Sequence, residues 1–450
     1  MSFYNKFFSI KPNEGLYGSA SYLSRWELRT FFHSKSLGIS LDGKKHLKPQ
    51  FTKLNTLVIC PTGGGKSTLI KGNILQKSMK YPHSFWVIDP ASDIYRDTHK
   101  WLEKQGFITK VINLDDASKS LKINILLIAA RTPNGIEDLA SLFILIQYDG
   151  VNSGDPFWRD SAQNLLILLM RTVVSSSQNE YAKTLHTVYM LLNWFSVEQE
   201  KLDRFILTHL RNNQRMKDEY KSLIANSSEN SKVLLSVVST AKSAIAKLVT
   251  NETISEIISD DNFDIETLRK IPQGIFIQVR EDRLNHSGVK AMLSILNKFL
   301  LAQCMRLPEK GEQQLDVHAY IDEAGAFYLQ NLDSYIVVMR KRNVSIMLFL
   351  QDLFQLDMYG FAKKKIIASN CLNKLIYPAV SPDDAAWASN LVGNETKEIL
   401  DRPVGIPLIS AQQIRNLSPH EMLFIHKSKA AILKLRPWYK QWKLKKRTEL

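Results

Sequence analysis

The chain has 450 residues, 44% of them hydrophobic and 23% charged, and a formal net charge of +15. Such a length exceeds the roughly 100–200 residues of one ordinary domain, so two domains, or one large domain with an insertion, are expected. This composition excludes a disordered chain, a membrane bundle and a small stapled module.

Residues 1–50 read as an irregular arm with one helix, Ser21–Phe32, and turn signals at Gly38 and Asp42-Gly43. Leu54–Cys60 is a short apolar run ending at Pro61; glycines follow, then a helical pattern over Ser67–Met79 and a second apolar run, Ser84–Asp89, that ends in an acid. A helix over Asp93–Gln105 leads to a third strand at Lys110–Leu114. Strands alternating with helices in this way favour a mainly parallel sheet covered on both faces. From Asp155 to about Asp264 the pattern becomes helical, with helices expected over Phe157–Val174, Thr184–Phe195, Glu198–Asn212, Asp218–Asn226 and Val233–Val249. Strand patterns resume at Ile271–Val279, Asp316–Ile321, Val344–Leu350, Leu372–Pro378, Met422–His426 and Ala431–Leu435, with helices Gly288–Met305 and Leu332–Lys341 between them. The expected organisation is an arm (1–50), an α/β domain in two segments (51–150 and 266–435), an all-α insertion (151–265) and a basic tail (436–450).

The turn after the first strand, Pro61-Thr62-Gly63-Gly64-Gly65-Lys66-Ser67-Thr68, carries the G-K-[ST] end of a phosphate loop, with Cys60 where the strict motif has its first glycine. Glycines let backbone N–H groups turn inward around phosphate oxygens. Thr62 to Thr68 is thus the candidate nucleotide-binding segment: Lys66 would bridge the β- and γ-phosphates, and Ser67 would offer its hydroxyl to Mg2+. The partner of such a loop is an apolar strand ending in acids, and Val317–Ile321 followed by Asp322-Glu323 fits it. Asp322 would hold the metal and Glu323 would polarise the attacking water.

Gln351 ends the Val344–Leu350 strand, either as a sensor of the γ-phosphate or as an ordinary polar strand end. Arg340 closes the preceding helix, either as an arginine finger reaching a neighbouring subunit's nucleotide, with Arg342 as substitute, or as a cation favoured there by the helix dipole. Asp89 would assist the metal or cap the next turn. Phe157 and Trp158 are expected as core anchors of the helical insertion.

The basic residues are concentrated at the ends, nine against three acids in residues 1–55 and nine against one in residues 427–450. Such ends either meet phosphate, in nucleic acid or anionic lipid, or serve solubility. In the tail, bases interleave with Trp438, Tyr439 and Trp442, a pattern that binds single strands by stacking, or one that merely follows a last strand into solvent. Cys60, Cys304 and Cys371 form no C-x-x-C pair, and no uncharged apolar run reaches the ~18 residues of a spanning helix. A reducing, cytoplasmic location is the expectation.

The order of these segments resembles the coupling proteins of type IV secretion systems, the conjugative TraG/TraD-like ATPases. The resemblance runs through Tyr17–Ala20, Pro61–Thr68, Val87–Pro90, Asn124, Asp155–Trp158, Ile321–Ala324, Leu350-Gln351 with Gln355, Gly393–Thr396 and Pro407–Glu421. It implies a RecA-like P-loop NTPase fold, α/β with a mainly parallel sheet and an inserted all-α domain, assembling as a homohexamer with ATP and Mg2+ as cofactors. It further implies a motor that carries DNA, as a relaxase-bound single strand, or protein substrates to the secretion channel at the cytoplasmic face of a bacterial inner membrane. By the same resemblance Lys66, Ser67, Asp322, Glu323, Gln351 and Arg340 take the roles given above. Members typically carry N-terminal transmembrane helices; here a partner, or the basic ends on anionic lipid, would supply that contact. The competing readings are a DNA translocase or helicase-like motor outside secretion and a nucleotide-dependent receptor for protein effectors.

Overall fold

The computed structural model describes residues 16–33, 38–77, 81–147, 156–176, 182–210, 213–229, 231–308, 313–400 and 402–450. Among these, nine strands form one sheet: β1 (Thr56–Ile59), β2 (His83–Asp89), β3 (Ile108–Asn113), β4 (Gln273–Gln278), β5 (Asp316–Ile321), β6 (Val344–Leu350), β7 (Asn373–Ile376), β8 (Glu421–His426) and β9 (Lys429–Lys434). Their spatial order is β9-β8-β7-β1-β6-β5-β2-β4-β3. The seven from β7 to β3 are parallel, while β8 and β9 join one edge antiparallel.

Every residue of β1, β2, β4 and β6 is buried, which is why these strands read as mainly apolar runs rather than alternating ones. The two-residue period still sorts them. Leu57, Ile59, Trp86 and Ile88 face the larger core with the inserted helices, whereas Val58, Cys60, Phe85 and Val87 face a second core with Leu69, Ile70 and Ile74 of the Lys66–Leu75 helix. Two buried polar side chains tie elements together: Asn55 donates to the Ile336 carbonyl (2.6 Å) and accepts from Ile346 N (3.0 Å), and Trp86 Nε1 donates to Asn297 Oδ1 (2.9 Å).

The helical run between β3 and β4 begins earlier than its apolar pattern suggested. Helices Ile125–Ala130 and Gly135–Gln147, within the stretch assigned above to the α/β part, pack on Pro156–Ser175, and Gly135–Gln147 also on Ser231–Val249. Asn124 starts this run as an N-cap, accepting from Leu127 N at 3.1 Å. Helices Leu185–Val197, Gln199–His209, Gln214–Glu229 and Glu252–Ile257 complete it.

Several expectations require correction. Phe157 is 54% exposed, because the buried stripe of its helix starts only at Ala162 and continues through Leu165, Leu166 and Leu169; Trp158 is half-buried against the core. Asp155 lies outside the described residues. The tail does not run from its last strand into solvent. Trp438–Lys440 forms a 3-10 turn and Trp442–Thr448 a helix packed on helices Lys66–Leu75 and Asp93–Lys104. Arg447 drives this docking, its guanidinium 4.1 Å from the centre of the Trp101 ring and donating to the Leu75 carbonyl. The arm is also packed, with Leu23, Phe31, Phe32, Ile39, Leu41 and Leu47 in the second core. The hairpin Asn394–Ile399 with Arg402–Pro407 was not expected, its first strand being polar, its second broken by Pro and Gly, and neither holding a buried residue. No helix among the described residues is long and apolar enough to cross a membrane.

Candidate active site

The parallel registers bring four strand ends to one edge of the sheet. Ile59 of β1 pairs with Leu350 of β6, Ile321 of β5 pairs with Leu348 of β6, and Val87 of β2 pairs with Tyr320 of β5. The phosphate loop, Gln351, Asp322-Glu323 and Asp89 all emerge there, where open α/β sheets bind ligands.

Helix Lys66–Leu75 begins at Gly65, which stands at φ +106° and has no side-chain cap bond, so its first-turn N–H groups lie open toward the loop. Gly63 stands at φ +76° with nothing within 4 Å of where a Cβ would lie. A Cβ on Gly64 would fall 2.5 Å from Cys60 Sγ, so the loop keeps its turn only with glycine there. An open cradle of left-handed glycines at a helix N-terminus fits a phosphate chain. Ser67 and Thr68 are half-buried on the first turn of that helix, and Thr62 is exposed on the loop.

Lys66 is buried and forms an ion pair with Glu323, with Asp322 Oδ1 3.8 Å away. Glu323 holds φ +51°, a conformation unfavourable for a residue with a Cβ, and its N–H donates to Asp322 Oδ1 at 3.0 Å. Its other carboxylate oxygen accepts from Gln351 Nε2 at 2.9 Å. Lys66, Asp322, Glu323 and Gln351 are therefore one connected group. Burial pushes Asp322 up to about 6, against the pull of the Lys66 ammonium.

Asp89, also buried and raised to about 6 by burial, accepts from Ile94 N (3.2 Å) and Tyr95 N (2.8 Å). Of its two readings, capping the next helix is the geometry observed. The sequence reading gave Gln355 no position in this group. Its Oε1 accepts from Gln351 N at 2.8 Å, fixing the end of β6; the signals for it were the Q-x-x-x-Q spacing and its place in the family resemblance.

Arg340 is not brought to this group. The Leu332–Val338 helix gives way to a 3-10 turn, Met339–Arg342, at the start of β6, while Gln351 follows its end. The seven residues of β6 span about 20 Å at ~3.3 Å per residue. Arg340 is exposed, and the Arg342 carbonyl accepts from buried Arg269 at 2.6 Å.

Residues 33–403 match the model of the family described as Type IV secretory system Conjugative DNA transfer. The chain belongs to this family. It is a coupling-protein motor in DNA transfer by type IV secretion, as this membership gives. No curated protein matches the sequence. Among solved structures it is similar to the plasmid coupling protein TrwB in complex with ADP and Mg2+, at 17% identity and a TM-score of 0.68 over 93% of this chain and 94% of that one. TrwB in complex with a non-hydrolysable ATP analogue matches at 17% identity and a TM-score of 0.67, covering 93% of each chain. VirB4 of Thermoanaerobacter pseudethanolicus matches at 14% identity and a TM-score of 0.56, over 91% of this chain and 99% of that one. The fold is the RecA-like P-loop NTPase fold with a mainly parallel sheet and an all-α insertion, as the family's own sequence pattern implied.

Proposed function

We propose that the chain hydrolyses ATP with Mg2+ and spends it on moving DNA, as a relaxase-bound single strand, into a type IV secretion channel. The observation that carries this reading is the connected group of Lys66, Asp322, Glu323 and Gln351 beside an open glycine cradle. TrwB, of the same fold, has been solved with ADP and Mg2+, which agrees with the donor set here.

In this reading residues 62–68 hold the phosphates, Lys66 exchanges its carboxylate partners for phosphate oxygens, and Ser67 with Asp322 holds the metal. Bound Mg2+ supplies charge neutralisation at the phosphates. Glu323, released from Lys66, orients the attacking water and takes its proton, while Gln351 holds the Glu323 carboxylate in place. Arg340, remote from its own chain's site, acts on that of a neighbour in a homohexamer. The motor part then comprises the sheet and its flanking helices, and the helical part from Asn124 onward meets the cargo. The chain would work at the cytoplasmic face of the inner membrane, held by a partner.

The test is the ATPase rate of the purified chain against protein concentration, with and without single-stranded DNA. A rate that rises with DNA and steeply with concentration is expected. Hydrolysis that ignores both would remove the DNA-motor reading in favour of a nucleotide-dependent receptor for protein.

A further inference from the structure

Beside the phosphate loop lies a cavity of about 460 Å3, within the roughly 300–1,000 Å3 of small-molecule sites. One wall is the loop itself, Pro61 to Gly65 with Thr68. The other comes from the far end of the chain and includes Arg415, His420, Leu435, Pro437 and Tyr439. Its position relative to the sheet is informative. β1 is flanked by β6, which leads to Gln351 and Glu323, and on its other side by β7. The cavity opens on the β7 side, since Pro378 and Ala379, just past the end of β7, also line it. A triphosphate on the loop with its terminal phosphate toward Glu323 has its sugar and base on this side.

The C-terminal segment is built to hold a ring there. Arg447 anchors its helix on Trp101, Leu444 is buried, and Gln441 Nε2 bridges the Gly43 carbonyl (2.9 Å) and the Arg436 carbonyl (2.8 Å). Trp438 lies over the Lys71 ammonium, 5.7 Å from ring centre to Nζ, and packs edge-on against Tyr439. Tyr439 itself remains 47% exposed at the cavity. An aromatic ring met edge-on by its neighbour and left half open to solvent at a cavity keeps a face available for stacking.

We propose that this cavity is the base subsite of the nucleotide site and that Tyr439 is its stacking residue, carried there by the folded C-terminal segment; the proposal rests on the nucleotide reading above. The lining includes no carboxylate or carboxamide side chain, the acceptors best suited to read the N–H edge of guanine. Stacking accepts any base, because every base presents a π face. The subsite thus takes either purine nucleoside triphosphate. The basic, aromatic end of the chain is on this view a part of the nucleotide site rather than a free nucleic-acid arm.

The experiment is calorimetric titration of the full chain, with Mg2+, by ATP, GTP and inorganic tripolyphosphate. ATP and GTP should bind within about threefold of one another, and Tyr439→Ala should weaken both about tenfold, the lower range of base–aromatic stacking. Tripolyphosphate affinity should be unchanged by Tyr439→Ala, and Tyr439→Phe should restore ATP binding. Hydrogen exchange at residues 438–448 should slow with ATP and not with tripolyphosphate. Wild-type ATP affinity in Tyr439→Ala, an equal loss for tripolyphosphate, or a tenfold preference for one purine overturns the subsite. Lys66→Ala serves as the separate check. It should lose all three ligands, and if it binds them as the wild type does, the nucleotide reading itself fails.

Discussion

Lys66 and Glu323 stand 257 positions apart in the chain and form an ion pair in the fold. One belongs to the first turn of a helix and the other to the turn after β5, so the pair reports that loop and strand end have met. In the proposed cycle the two must part, because Lys66 turns to phosphate and Glu323 to water. Lys66→Ala and Glu323→Gln should each lower ATP turnover by at least ~100-fold. They should differ in binding: Lys66→Ala loses nucleotide, whereas Glu323→Gln retains it and its bond from Gln351. Turnover near wild type in either purified, folded variant would remove the site assignment.

Arg340 separates fold from assembly. It is exposed at the opposite edge of the sheet from Gln351. Arg340→Ala should leave the unfolding midpoint and ATP binding unchanged, since surface substitutions of this kind cost within about 0.5 kcal/mol. Turnover should fall by at least about tenfold at concentrations where copies associate, and not in dilute protein. Measured against concentration, an unaltered rate would return Arg340 to the role of a helix-end cation.

Lys77 gives a pH signature. Its ammonium is buried near the Phe85 and Tyr320 rings, 5.7 and 5.8 Å from their centres, and burial lowers its pKa from 10.5 to about 7. Between those values the unfolded chain holds the extra proton, so this group makes stability rise with pH across that window, its cost being complete below about 7. Lys77→Met should therefore raise unfolding free energy by roughly 1–4 kcal/mol at pH 6, with the gain shrinking toward zero by pH 10. Urea melts of both proteins at several pH values test this, and a gain independent of pH would mean the charge reaches water.

Arg447 holds the C-terminal helix, and its loss should be costly in a way that its neighbours' is not. Arg447→Ala removes the cover on Trp101 and a donor to the Leu75 carbonyl, for about 1–3 kcal/mol. Exposed Lys443 changed to Ala should cost less than about 0.5 kcal/mol. Equal effects of the two substitutions in thermal melts would show that the tail is not docked in solution.

The strands at the centre of the sheet were readable because burial on both faces demands mainly apolar residues: Asp316–Ile321 and Val344–Leu350 fall where their runs do, and the polar His318 and Ser345 within them bond each other at 2.7 Å. Chemistry confined to a few adjacent residues was equally legible, since Gly65-Lys66-Ser67 and Asp322-Glu323 each carry their own local signal. Less was written where structure depends on a remote partner. The hairpin of Asn394–Ile399 with Arg402–Pro407 holds no buried residue that would impose a period, while Phe157 looked like a core residue until the rotation of its helix turned it outward.

The sequence by itself thus determined the strands of the main sheet, the phosphate loop, the acidic strand end and, through their order, the family. Only the tertiary structure decided that Gln351 grips Glu323, that Asp89 caps a helix and that the basic C-terminal segment closes over the phosphate-loop helix with Tyr439 at a cavity. The reason is the range of the forces involved. Periodicity, glycine turns and charge runs act over a few residues and leave a local trace, whereas strand order and the docking of a distant helix are settled by burial between segments that share no sequence neighbourhood.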